Sequence, residues 1–292
     1  MVLSFIVFIF GIIVLPLVFV RIIYPGLLRK KPSFAAITAA FFVLLGFFVS
    51  FFIFQAALSI AIIAFSSLMI LPFVIKFLES EEKPSVHLPE QQPENQAQSF
   101  YIKPQRQWLY SRSLTEIFQR HEKLILFYIF LFAGMAIEYT LLFAVLPPGI
   151  NENAFSNQLQ LLQPRGSFVA PELFWSILTN NIQLVFVAFA LSVLYGSGSI
   201  LILSYNASIA GVLYGSSIRT LIYGTPPFAA NIIAFLPHTI IEILGYLLAA
   251  VAGGILINGL YRENIRDSLI IFAFALTMII VGAWVEIIVP FL

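Results

Sequence analysis

His238 and Glu242 stand four residues apart in the apolar stretch Asn231–Ile257. At that spacing two side chains share one face of a helix. An imidazole and a carboxylate so placed can share a proton, hold a cation or bond to a neighbouring helix. Ionisable groups within a bilayer are costly, so they mark positions where a partner or a task is expected. Glu138 and Glu286 also fall within apolar runs, and Asn180, Asn181 and Gln183 lie near the start of another. Pro237 precedes His238; a proline within a helix frees a backbone carbonyl and often kinks the axis. We expect Asn180, Asn181, His238, Glu242 and Glu286 to face one another as a polar cluster inside a helical bundle.

Several chemistries fit such a cluster. Hydrogen bonds across it can fix helix register, each typically worth about 1 kcal/mol or less in a membrane. A transporter or permease-like module would instead use it to bind a proton or polar solute. Joined by Glu286 or Glu138, the pair offers nitrogen and oxygen ligands suited to zinc, iron or manganese. Di-metal bundles, however, use more carboxylates and at least two histidines, so no metal and no cofactor is expected. A hydrolase would pair His238 with Ser197 or Ser199 of Gly196-Ser197-Gly198-Ser199. Gly and Ser at helical spacing more often permit close helix packing, so we expect no catalytic residue and no enzyme. The spans hold no Asp pair and no His-Glu-x-x-His, which excludes aspartyl and zinc proteases of those types. Glu138 alone reads as structural. Gly211-x-x-x-Gly215 forms one small-residue face, and Gly245, Ala249 and Gly253 form another. Such faces serve internal helix seams or a homodimer. His87 and His121 read as ordinary surface residues, and Glu79, Glu81 and Glu82 as a solvated helix end.

The composition says what must position these groups. Hydrophobic residues make up 60% and charged residues 10% of the chain, Phe occurs 31 times, and mean hydropathy is +0.98. These values indicate an all-α, polytopic helical membrane protein. A formal charge of +1 carries no nucleic-acid footprint. The absence of cysteine excludes disulfides, thiolate nucleophiles and Cys-ligated metals. Apolar runs place spans at about Val2–Ile23, then Phe34–Leu78, Leu124–Leu146, Leu173–Ser204, Ala207–Tyr223, Asn231–Ile257 and Leu269–Leu292. Phe34–Leu78 is too long for one crossing and is split near Phe54-Gln55, giving about eight transmembrane helices. Val2–Val20 lacks a preceding basic residue and a following small-residue cleavage pattern, so it reads as a retained helix rather than a signal peptide. Tyr205-Asn206 reads as the connection between two spans.

The organisation that follows is an N-terminal three-helix module (1–78), a flexible linker (79–112), an amphipathic interfacial helix (113–123) and a five-helix core (124–292). The linker is rich in Glu, Gln, Pro and Ser. Ser113-x-x-Glu116 opens the interfacial helix as a capping box, although a plain extension of the next span fits equally. Arg29, Lys30 and Lys31, then Lys83, Lys103, Arg106, Arg112, Arg120 and Lys123, then Arg262 and Arg266 all fall on one side of the membrane. Basic loops face the cytoplasm. The linker is therefore expected to be cytoplasmic, with both termini and the Pro147–Pro171 loop external, in a multi-pass protein of the cell membrane.

Within the core, Asn180-Asn181 opens a long helix, followed by Gly196-Ser197-Gly198, then by Tyr205-Asn206 with Gly211. Pro237-His238 with Glu242 comes next, then Gly253, then Trp284-Val285-Glu286 before Pro290. In that order these residues resemble the stage II sporulation protein M family, from roughly Leu124 to Leu292. Asn206-Ala207 departs from the Asn-Gly that family members tend to have there. The resemblance implies a five-helix core with an external C-terminus, acting in envelope remodelling. In sporulating bacteria the family member recruits two cell-wall-degrading partners during engulfment and is not itself known as an enzyme. The expected function is thus a non-enzymatic scaffold or recruiter, seated in the lipid bilayer as a homo-oligomer with other envelope proteins or an ATPase. The alternative is the permease-like module with its site at His238 and Glu242. The three N-terminal helices look like an added module.

Overall fold

The computed structural model describes residues 31–81, 113–162, 170–224, 232–257 and 262–288, together with Val14, Val18 and Arg21. Those three residues apart, the expected first span lies outside the described residues, as does the linker from 82 to 112. Seven helices are long and apolar enough to cross a membrane. They are α1 (Phe34–Ile53), α2 (Leu58–Glu81), α4 (Glu122–Val145), α7 (Ala170–Tyr195), α8 (Ile200–Tyr223), α9 (Ile232–Ile257) and α10 (Arg262–Ile288). At about 1.5 Å per residue each matches or exceeds the ~30 Å hydrocarbon core. Short helices complete the set: α3 (Leu114–Arg120), α5 (Pro148–Ala154) and α6 (Ser156–Leu161). Among the described residues there is no strand, and the chain is an all-α polytopic helical protein.

No Gly or Pro marks the turn between α1 and α2, which leaves helical geometry at Phe54 (φ −127°, ψ 52°) and continues as a short 3-10 turn, Gln55–Ala57. A helix end leaves carbonyls without intrahelical partners. Here Asn153 of α5, about a hundred positions away in sequence, donates to the Gln55 carbonyl at 2.9 Å. At α3, Ser113 accepts a hydrogen bond from the Glu116 backbone N–H at 3.3 Å. His121 then breaks the helix before α4, so α3 is a separate element rather than an extension.

The boundary between α7 and α8 differs from the expected one. Tyr205-Asn206 is no connection but lies inside α8, and the chain turns at Gly196–Ser199. A Leu173–Ser204 helix would be roughly 48 Å long, well beyond the bilayer core. Gly196 adopts φ +72°, a left-handed conformation that glycine enters without strain. The polar residues of α8 are absorbed within the bundle: Asn206 donates to the Ile202 carbonyl at 2.8 Å, and Tyr139 and Ser204 share a hydrogen bond at 2.9 Å.

Helix α4 is the hub, packing against α1, α8 and α9, while α9 packs against α7 and most extensively against α10. Both small-residue faces are spent on internal seams. A Cβ on Gly211 would come within 2.5 Å of Tyr139 Cβ, and one on Gly215 within 2.8 Å of the Thr140 carbonyl oxygen. On α9, Gly245 seats against Ala275 and Ile279 of α10, and Gly253 against Phe189 and Ser192 of α7. Gly134 of α4 lies directly on the backbone of Ala36 in α1, so the N-terminal hairpin shares the bundle with the core helices.

The Pro147–Leu162 segment folds into the bundle. Phe155 is buried against Tyr139 and Phe143, with ring centroids 6.4 and 5.2 Å away. Gln158 is 1% exposed; it accepts from Ser59 and donates to Ser208, both at 2.8 Å. Asn151 and Arg219 meet the carbonyls at the C-terminus of α4, where a cation also complements the helix dipole. Arg219 is thus a buried tie between α8 and α4.

Candidate functional site

Helix α7 presents Asn181 towards α9, where it is buried. Its Nδ2 donates to Glu242 Oε1 at 2.6 Å, and its Oδ1 accepts from the Tyr246 hydroxyl at 2.8 Å. Asn180, exposed on the outer side of α7, donates to the same Oδ1 at 3.2 Å. Glu242 lies over Gly282 of α10, whose hypothetical Cβ would stand 2.7 Å from Glu242 Cγ. Glu286 lies one helical turn beyond Gly282 and is partly exposed. His238 is 7% exposed, one turn from Glu242 towards the N-terminus of α9, and Pro237 beside it is exposed.

The structure therefore brings Asn181, Glu242 and Glu286 together, with Asn180 at the rim. Tyr246 and Gly282 are members that the sequence reading missed. Glu242-x-x-x-Tyr246 is the same four-residue spacing as His238 and Glu242, and Gly282 precedes Glu286 by four. Spacing could therefore have found both. The triad of amide, carboxylate and phenol ties α7 to α9, while Gly282 lets α10 close over the acid. Chemically, it offers an acceptor-rich cluster that includes two carboxyls, at the end of the bundle that carries the α5–α6 loop.

Ser197 and Ser199 occupy the opposite end. Ser199 shares a hydrogen bond with Ser192 at 3.0 Å, and Ser192 also donates to the Ala250 carbonyl at 2.9 Å. Ser197 donates to the Tyr195 carbonyl at 3.3 Å. Ala250 lies twelve residues from His238 on α9, a rise of about 18 Å. These serines and His238 do not meet. Gly198 packs on Leu191 of α7. Among the described residues no three His, Asp or Glu side chains are grouped to hold a metal.

A second polar site, absent from the sequence reading, joins α3 to α10 at the linker end. Asp267 is fully buried. It accepts from Arg120 at 3.2 Å, His121 at 3.3 Å and Arg266 at 3.2 Å, and Arg120 also pairs with Glu263 at 3.0 Å. His121 is accordingly not an ordinary surface residue. Its side chain is only 13% exposed because α3 lies on the bundle, with Ile117 buried and Phe118 edge-on to Phe274 at 5.3 Å. Asp267 is the single aspartate of the chain, the one signal that could have drawn notice.

The family model for stage II sporulation protein M matches residues 123–289, more than half of the chain. The chain belongs to the stage II sporulation protein M family. The matched region covers the five long helices α4 and α7 to α10 with the α5–α6 loop between them. Membership and the apolar helices together make it a multi-pass membrane protein. No curated protein and no solved structure is significantly similar to it.

Proposed function

We propose that this chain is a non-enzymatic scaffold that gathers envelope-remodelling partners in the membrane. The observation that carries the reading is the engagement of Asn181, Glu242 and Tyr246 with one another across α7 and α9. A carboxylate bonded to a neighbouring helix holds that helix in register, and the family to which the chain belongs is named for a stage of sporulation. Partners would be other envelope proteins, such as wall-degrading enzymes, or an ATPase. The linker faces the cytoplasm and both termini face outward in this reading, as the basic loops require.

One observation favours a second reading. Glu242 packs on Gly282, one helical turn from Glu286 on α10, and two neighbouring carboxyls at membrane depth suit a proton or a cationic solute. One experiment separates the two. The purified chain is reconstituted in liposomes for proton and solute flux, and the tagged chain is captured from its own membranes in mild detergent. A stoichiometric, identified envelope enzyme in the capture with silent liposomes supports the scaffold. Flux that Glu242→Gln abolishes overturns it in favour of the permease.

A further inference from the structure

Tyr128 of α4 is fully buried, and among the described residues nothing makes a direct hydrogen bond to its hydroxyl. The buried hydroxyls of Ser50 and Ser66 also lack a partner. A helical serine, however, can turn back to the carbonyl four residues earlier, as Ser67 does to Ile63 at 2.7 Å. A phenol hydroxyl, held at the end of a rigid ring, has no such recourse. Leaving it unbonded inside a bundle is costly, so it calls for a partner.

Its surroundings say which kind. Ser192 and Ser199 stand beside the hydroxyl, but neither makes a direct hydrogen bond of good geometry with it. Their own protons are committed. Ser192 donates to the Ala250 carbonyl at 2.9 Å, so Ser199 is the donor in the bond that joins the two serines at 3.0 Å. Both serines thus present lone pairs towards a Tyr128 hydroxyl that has a proton to give. Gly254 of α9 lies on another side. A Cβ there would stand 3.9 Å from the Tyr128 oxygen and 3.2 Å from Leu78 Cδ2, the movable end of a side chain. The adjacent Gly253 is required by close packing, since its Cβ would collide with Ser192 and with the Phe189 carbonyl. Gly254 meets no backbone of another helix, and glycine inside a helix is destabilising relative to alanine. It leaves a methyl-sized space next to an unbonded hydroxyl.

We infer that Tyr128, Ser192, Ser199 and Gly254 enclose a binding site for a water molecule beneath the Gly196-Ser197-Gly198-Ser199 turn. The water accepts the phenol proton and donates to the lone pairs of the two serines, a set of partners typical of internal water. It ties α4 to the α7–α8 turn and gives the Gly-Ser run a task other than catalysis. The inference is independent of the proposed function, since a scaffold and a permease alike need that turn held.

Hydroxyl radicals generated by X-ray pulses from a bound water label the side chain beside it, however deeply that side chain is buried. The purified chain is pulsed in heavy-oxygen water and read by mass spectrometry, with exposed Tyr195 (67%) as the positive reference. Tyr128 should be labelled roughly fivefold or more above Tyr139, whose hydroxyl is bonded to Ser204, and above its neighbour Phe127, both 1% exposed. Gly254→Ala fills the space and should bring Tyr128 down to their level while Tyr195 is unchanged. Tyr128→Phe should lower Tm by roughly 2–4 °C, because a bridge is lost, whereas removal of a dry, unbonded hydroxyl would leave Tm level or raise it. Labelling of Tyr128 no stronger than that of Tyr139 overturns the inference and requires no variant to fold. So does labelling that survives Gly254→Ala, or a Tyr128→Phe protein that melts at or above the parent.

Discussion

Replacing Asn181 by Leu tests whether the α7–α9 cluster holds the fold or does a job. The substitution keeps approximate side-chain bulk and removes the donor to Glu242 (2.6 Å) and the acceptor of the Tyr246 hydroxyl (2.8 Å). Interhelical hydrogen bonds in membranes average about 0.6 kcal/mol and reach about 1.7 kcal/mol. Both lost bonds are short, and Tyr246 is 3% exposed, so its hydroxyl gains little water in return. Two bonds near the upper end, less some relaxation, give a loss of about 2 kcal/mol. For a chain of this size that is a fall in Tm of roughly 4–8 °C. The measurement is thermal unfolding of the detergent-purified protein, followed by tryptophan fluorescence. Glu242→Leu and the double variant complete a cycle, whose coupling should be about 1 kcal/mol or more because the residues touch. Glu242→Gln keeps an acceptor oxygen and should stay within about 2 °C of the parent. Additive single losses, or N181L melting with the parent, would refute the structural account. A Glu242→Gln protein that folds normally yet fails in cells would assign the acid a task instead.

Asp267→Ala should lower stability by about 2 kcal/mol, since Arg120 and Arg266 are each 39% exposed and water can replace much of what they lose. The same change should loosen α3, read as faster proteolysis around residues 113–121; unchanged cleavage would sever the proposed link between the two. Gly211→Leu forces a Cβ to within 2.5 Å of Tyr139 Cβ, and should cost about 3 kcal/mol or more, visible as loss of folded protein in detergent. Gln158→Leu strips partners from the Ser59 and Ser208 hydroxyls, with an expected cost of about 1–2 kcal/mol in the same melt. For topology, a cysteine at Asn157 should react with a membrane-impermeant maleimide added outside cells and one at Ser85 should not; the reverse pattern inverts the orientation.

The helices themselves were legible because a bilayer demands long apolar runs, and α1, α2, α4 and α9 follow those runs closely, while α10 begins seven residues before the expected Leu269. The α7–α8 boundary was not, because hydropathy ranks Tyr205-Asn206 as an interruption while ignoring that a helix interior can satisfy an asparagine from its own turn. Gly196 carried the true signal, a residue able to take positive φ between two runs of spanning length. In the cluster, the approach of Asn181 to Glu242 could be anticipated from polar residues that each need a partner. Asp267 escaped notice for the opposite reason. It sits among Arg262, Glu263 and Arg266, where a charge looks solvated, and only the tertiary placement of α3 reveals that it is buried.

Lipid tails are as apolar as Leu and Phe, so burying apolar surface does not by itself choose one helix neighbour over another in a membrane. Close backbone approach and polar ties must make that choice, and here they converge on α4. Gly134 receives Ala36 of α1, while Tyr139 and Thr140 receive Gly211 and Gly215 of α8. Gln158 then bridges Ser59 of the N-terminal hairpin to Ser208 of the family core. A helix pair that merely accompanied the core would need none of these contacts. The N-terminal hairpin is therefore part of the same packing unit, and removing it would leave the amide of Gln158 half-satisfied and the Gly134 groove open to lipid. On that reasoning, residues 113–292 expressed alone should be less stable than the full chain, and residues 31–81 supplied as a separate polypeptide should restore the difference.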